Sequence, residues 1–175
     1  MLKNNYYTIP IDKNTFLKII ESNGVENFNV KLTTTINYDK ENMEFSNADY
    51  QYQYLELKEV KTNNSAERSI FYKHYYPENE TYYNMEKNNI VKIDNLKEMQ
   101  EILKNIGCRI LSKQVVKEMM TEVLDKYYMS LKEYDDTVYS IEIKTIDNHY
   151  ITKVDYEELS NYLKKYNINH VENVF

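Results

Sequence analysis

Lys113-Gln114-Val115-Val116-Lys117-Glu118-Met119-Met120-Thr121-Glu122-Val123-Leu124-Asp125-Lys126-Tyr127-Tyr128-Met129-Ser130-Leu131-Lys132-Glu133 admits two readings, and they decide how much of the chain is sheet. Its apolar pairs Val115-Val116, Met119-Met120, Val123-Leu124 and Tyr127-Tyr128, followed by Leu131, recur every four residues, and neither Gly nor Pro interrupts them. That period is helical, and it favours a helix over 113–133. The competing reading is two strands joined by a turn near Asp125-Lys126.

Working outward, Val138 to Ile146 reads as a strand and Asp147-Asn148 as a turn. Asp155-Tyr156-Glu157-Glu158 then opens a helix that faces the core with Leu159, Tyr162, Leu163 and Tyr166. On the other side, Asp94 is expected to cap a helix carrying Leu96, Met99, Ile102, Leu103 and Ile106, with Gly107 in the position that ends it. Further upstream, Phe28–Tyr38, Tyr50–Lys61, Glu67–Tyr76, Thr81–Glu86 and Ile90–Ile93 alternate as strands. Polar turns such as Thr62-Asn63-Asn64-Ser65 and Pro77-Glu78-Asn79 join them into an antiparallel meander, and Asp39–Asn47 is a polar turn or loop. Tyr6–Ile11 is a short strand whose Pro10 marks an edge or a strand end. Asp12 caps the first helix, which uses Phe16, Leu17, Ile19 and Ile20 and stops at Asn23-Gly24. The expected architecture is one α+β domain over 1–175, an antiparallel sheet or meander with three to four helices packed on it.

Composition narrows the function classes. A chain of 175 residues, 42% hydrophobic, has globular character and can bury a core. No apolar run approaches a bilayer span, so no membrane partner is expected. Met1–Asn5 lacks the apolar region of a secretory signal, and the single Cys108 leaves no internal disulfide and no Cys-based zinc site. A reducing cytoplasm is the expected location. The net charge of -6, with only Arg68 and Arg109 as arginines, argues against broad nucleic-acid binding. With only Gly24 and Gly107, neither a phosphate loop nor a dinucleotide fingerprint can be built. The excess of Asn, Lys, Ile and Tyr fits an A/T-rich coding genome, whether of a low-GC bacterium, a phage or a virus.

The candidate site residues lie on charged strands. Glu56 and Lys58, like Glu142 and Lys144, stand two apart and so share one strand face. They are read either as a charged wall facing a polyphosphate or as a solvated sheet face with cross-strand ion pairs. Arg68 and Lys73 are five apart and face opposite sides of a regular strand, so at most one of them joins Lys58. His74, His149 and His170 have no metal-ligand spacing, and nothing near Cys108 activates a thiolate. Tyr72, Tyr75, Tyr76, Tyr82 and Tyr83 bracket the Pro77 turn, where they suit a protein interface or packing across strands. No residue is singled out as catalytic.

The succession of a strand, a helix, a meander, a second helix ending in glycine and then further basic and acidic strands resembles the CYTH superfamily, the triphosphate tunnel metalloenzymes. Leu96–Gly107 is similar to that family's second helix, and Lys113 and Lys117 fall about where its next strand is basic. Ser140-Ile141-Glu142-Ile143-Lys144 resembles the late strand that supplies an acidic metal ligand. Tyr54-Leu55-Glu56-Leu57-Lys58 resembles the strand whose lysine points at the triphosphate. The resemblance implies an open barrel, with Glu56, Glu142 and Glu118 as candidate ligands for Mg or Mn and Lys58, Arg68, Lys73, Lys117 and Lys144 as ligand-binding residues. It departs at the first strand. There the family carries two glutamates and a lysine at alternating positions, and Tyr7-Thr8-Ile9-Pro10-Ile11 has no acid.

Two functions follow. The missing acids, the net negative charge and the tyrosines favour a small non-catalytic binding protein, such as a phage or viral factor that docks on a host protein or captures a nucleotide. The alternative is a divergent CYTH-like, metal-dependent triphosphatase or nucleotide cyclase. The expected partner is accordingly a protein or a small phosphorylated ligand.

Overall fold

The computed structural model describes residues 6–40, 52–75 and 90–168, and of these the side chains of residues 6, 39–40, 52–54 and 73–75 are left aside. In chain order the elements are β1 (Tyr6–Ile11), α1 (Lys13–Asn23), a 3-10 turn (Val25–Asn27), β2 (Asn29–Lys40), β3 (Tyr52–Thr62), β4 (Ala66–Tyr75) and β5 (Ile90–Lys92). They continue with α2 (Leu96–Asn105), β6 (Cys108–Val123), β7 (Tyr127–Tyr134), β8 (Val138–Thr145) and α3 (Lys153–Lys164). The fold is α+β, with three α-helices and one eight-stranded sheet among the described residues, ordered β1-β8-β7-β6-β2-β3-β4-β5. The ladders β1–β8, β8–β7, β7–β6, β3–β4 and β4–β5 are antiparallel. None of the described helices is long and apolar enough to cross a membrane.

The helix expected over 113–133 is absent, and this is the main correction to the sequence reading. β6 and β7 form a hairpin in which Met119 pairs with Leu131, Met120 with Ser130 and Val123 with Tyr127. The apolar doublets that imitate a helical period are the two faces of one strand. Met119, 3% exposed, enters the core, whereas Met120 turns to the opposite face. The turn lies where the competing reading put it, with Leu124 and Asp125 both at positive φ (55° and 53°) and Lys126 N donating to Val123 O at 3.3 Å.

Helix ends follow local chemistry, with small shifts from the expected starts. Asp12 caps α1, its Oδ1 accepting from Thr15 N at 2.7 Å. Phe16, Ile19 and Ile20 are buried, but Leu17 is 45% exposed because it falls off the i, i+3, i+4 stripe. Asn95, not Asp94, caps α2, accepting from the amides of Lys97 and Glu98. Gly107 follows that helix at φ 87°, a conformation that favours glycine. α3 begins earlier than expected, because Thr152 is the N-cap and Asp155 closes its capping box. Pro10 sits in β1, at one end of the strand order, where no second ladder needs its missing N–H. The expected strand Thr81–Glu86, the Pro77 turn and residues 41–47 of the expected loop lie outside the described residues, whereas Asp39 and Lys40 belong to β2.

By internal contacts the chain divides into two compact units, Met1–Lys31 with Val116–Phe175, and Leu32–Val115. The first is built on Phe16, Ile19, Met119, Tyr127, Met129, Leu131, Ile141, Ile143, Leu159 and Leu163, so α1 and α3 share a core with β6, β7 and β8. The second is built on Ile36, Tyr38, Leu57, Leu103 and Cys108, with Leu96 and Met99 of α2 packed against them.

Candidate functional site

In the first unit, alternation along the strands decides which side chains face away from the core. Tyr127, Met129 and Leu131 of β7, and Tyr139, Ile141 and Ile143 of β8, are nearly all fully buried. Their neighbours Ser130, Lys132, Ser140, Glu142 and Lys144 therefore share the opposite face, as does Glu118 of β6, which pairs with Lys132. Register sets Thr8 of β1 against Glu142 and Pro10 against Ser140. The first strand thus contributes no carboxylate at these two positions.

Lys132 is the centre of this face. Its ammonium donates to Glu142 Oε2 at 2.7 Å and lies 3.9 Å from Glu118 Oε1, with only 19% of its side chain exposed. Burial works against the charged amine, but the Glu142 and Glu118 carboxylates outweigh it and raise its pKa above the ordinary lysine value. Lys31 reaches Glu118 Oε2 at 3.3 Å from β2. Lys144 stands opposite Tyr128 by register, its Nζ 5.6 Å from that ring's centroid. Ser140 Oγ is buried without a hydrogen-bond partner beside this cluster.

The other expected residues fall out as follows. Lys117 alternates to the face of Met119, so it does not share a face with Glu142. In the second unit, Glu56 and Lys58 lie on the face opposite Leu55 and Leu57, with Glu56 buried and Lys58 half-buried. Arg68 lies on the Leu57 side, where its Nε donates to Glu59 Oε1 at 2.7 Å. Burial would raise the Glu59 pKa, but hydrogen bonds from Lys61 and Arg68 hold it below the usual carboxylate range. Tyr72 is half-buried opposite Leu55. Lys73 and Tyr75 lie in β4 with side chains outside the described set, and Tyr76, Tyr82 and Tyr83 lie outside the described residues altogether. His149 contacts Asp147 and Asp155, not another histidine.

Sequence reasoning missed Lys132 and Lys31. Lys132 meets Glu142 only once Tyr134–Val138 is recognised as a hairpin end, and the helical reading of 113–133 hides that. Two successive aspartates at positive φ, Asp135 and Asp136, were the local signal available. Among the described residues no three His, Cys, Asp or Glu side chains gather as a metal-holding group.

No protein-family model matches the sequence, and no curated protein matches it. Solved structures do resemble the fold. HpAC1 from Hippeastrum, a candidate adenylyl cyclase with a dominant triphosphatase activity, superposes with a TM-score of 0.54 at 13% identity, over 97% of this chain and 91% of that one. PH1819 from Pyrococcus horikoshii gives 0.48 at 20% identity, over 95% and 90%. A candidate adenylate cyclase from Bacillus halodurans gives 0.45 at 10% identity, over 98% and 93%. The chain has a CYTH-like fold.

Proposed function

We propose that the charged face of the first unit binds a triphosphate and that the chain is a divergent, metal-dependent triphosphatase. The observation that carries this reading is the Glu118–Lys132–Glu142 constellation on a CYTH-like fold. Lys132, Lys144 and Lys31 supply cations for phosphate oxygens, each a compact charge on a long stem. The fit to Mg or Mn rests on Glu118 and Glu142. Both carboxylates already approach one cation, the Lys132 ammonium, and two carboxylates with retained waters suit these hard ions. Glu118 and Glu142 would hold the ion, which would supply charge neutralisation on the phosphates, and Lys132 beside them would supply a cation for the phosphoryl oxygens. Water would attack the γ-phosphorus as the bond to the β,γ-bridging oxygen breaks, the bridging oxygen would leave on the diphosphate, and the proton lost by the water would pass to bulk solvent.

A second reading, triphosphate capture without turnover, is favoured by Thr8 and Pro10 opposite Glu142 and Ser140, since carboxylates are missing there. A host-protein partner has no support beyond the tyrosine cluster, most of which lies outside the described residues.

Phosphate release from tripolyphosphate and from nucleoside triphosphates, with Mg or Mn, separates the two readings. Turnover that falls at least about a hundredfold in Glu142→Gln supports hydrolysis, a loss typical of weakening the hold on an ion that stabilises transition-state charge. Tight binding with no release supports capture. If the protein neither binds nor hydrolyses any of these compounds, the triphosphate reading is overturned.

A further inference from the structure

At the Glu122–Tyr128 end of β6 and β7, the first unit holds a polar cavity of about 420 Å³, lined in part by Asn23, Asn27, Asn29, Met120, Glu122 and Tyr128. That volume lies within the range of small-molecule sites. Its hydrogen-bonding character follows from what two of its asparagines already do. Asn23 Nδ2 donates to Ile19 O at 2.7 Å and to the Tyr166 hydroxyl at 2.9 Å. Asn27 Nδ2 donates to Asn23 O at 2.6 Å. A backbone carbonyl only accepts, so the orientation of both amides is fixed. Asn23 has spent its donors and keeps its Oδ1 acceptor, while Asn27 keeps Oδ1 and one N–H. Glu122 is exposed and adds a carboxylate that only accepts when ionised. Asn29, Thr121 and Tyr128 each add donors as well as acceptors, so the two Glu122 oxygens and Asn23 Oδ1 leave acceptors in excess, beside the half-buried Tyr128 ring and the Met120 thioether.

From this arrangement we infer that the cavity binds a guanine base, which makes guanosine triphosphate the preferred ligand of the charged face; the inference rests on the triphosphate reading above. Guanine carries two adjacent donors, N1–H and the N2 amino group, and one carboxylate meets both with its two oxygens. Adenine and cytosine set a ring-nitrogen acceptor beside their amino group, which would confront Glu122 with an unpaired acceptor. Uracil has a single N–H between two carbonyls. The Asn23 and Asn27 oxygens are available for the second amino hydrogen and the sugar hydroxyls, and Tyr128 and Met120 offer apolar surface to the base plane. Spacing agrees. Glu118 and Glu122 share one face of β6 four residues apart, roughly 13 Å along a strand, which an extended nucleoside triphosphate can span from base to terminal phosphates. Lys144 connects the two ends, opposite Tyr128 by register and two positions from Glu142.

The test is equilibrium titration of the full chain, in Mg buffer, with the β,γ-imido analogues of GTP and ATP and with inorganic tripolyphosphate. The GTP analogue is expected to bind about ten- to a hundredfold more tightly than the ATP analogue, the discrimination of one bidentate base contact. Glu122→Gln, at an exposed position and checked by thermal melting, should erase that difference. Equal affinity for the two analogues, with tripolyphosphate still bound, overturns the guanine assignment and leaves the triphosphate reading standing. A preference that survives Glu122→Gln removes guanine from this cavity. Binding of none of the three overturns both.

Discussion

Asp155 is tied to three neighbours, and its titration contributes to stability on the acid side. Burial would raise its pKa, but the hydroxyl and amide of Thr152, the Tyr127 hydroxyl at 2.8 Å and His149 outweigh burial and hold it at about 2. Its folded value lies below the ordinary carboxylate value of 3.8. The stabilisation is thus complete above that ordinary value and is lost as pH falls through about 2, amounting to about 2 kcal/mol. His149 has the opposite sign. The hydrogen bond to Asp147, helped by Asp155, raises its pKa above 6.5 against desolvation, so its contribution is complete below pH 6.5 and is lost as pH rises through the raised value. Urea unfolding of the wild type and of His149→Gln across pH 5 to 10 reads this as a difference, on about the scale over which an imidazole titrates. The gap between the two proteins should be widest at the acid end and close toward the alkaline end. A gap independent of pH would remove His149⁺ as the source.

At the level of elements, the β6–β7 turn is strained where its neighbour is not. Leu124 and Asp125 both adopt positive φ, as do Asp135 and Asp136 in the β7–β8 turn. Aspartate tolerates that region, whereas leucine does not, and Leu124, 39% exposed, offsets the strain only in part through burial. Leu124→Asn is therefore expected to stabilise the fold by up to about 1 kcal/mol, seen as a higher urea midpoint with an unchanged slope. The same residue explains why this hairpin was not legible. Hairpin turns with two residues at positive φ announce themselves through Asn or Gly, and Leu124-Asp125-Lys126 has neither. Residues on the core face and on the opposite face at adjacent positions, such as Met119 and Met120, then supplied a false helical period. Elements with explicit punctuation were read correctly, as at Asp12, Gly107, Pro10 and the Thr62–Ser65 turn, where Thr62 N donates to Ser65 O at 2.9 Å.

Over the whole molecule, the candidate site depends on long-range register, which single-strand patterns carry only in part. Glu142 and Lys144 were recognisable as a same-face pair, but Lys132 enters through a hairpin and Lys31 from a strand 87 residues before its partner Glu118. Lys117 was one residue out of phase, which in a strand means the opposite face. The two cores raise a question of cooperativity. Leu57 in the second unit and Ile143 in the first are both fully buried, and Leu57→Ala or Ile143→Ala should cost about 2–5 kcal/mol each. That is a large share of the roughly 5–15 kcal/mol of an ordinary domain. β2 spans residues of both units, since Lys31 and Leu32 are consecutive within it, and β6 does the same at Val115 and Val116. Unfolding one unit would fray two strands that the other needs. Each substitution is therefore expected to lower the midpoint of one common urea transition, followed in parallel by far-UV circular dichroism and tyrosine fluorescence. Two resolved transitions, with each substitution moving only one, would show that the strands can melt in halves and that the units are thermodynamically separate.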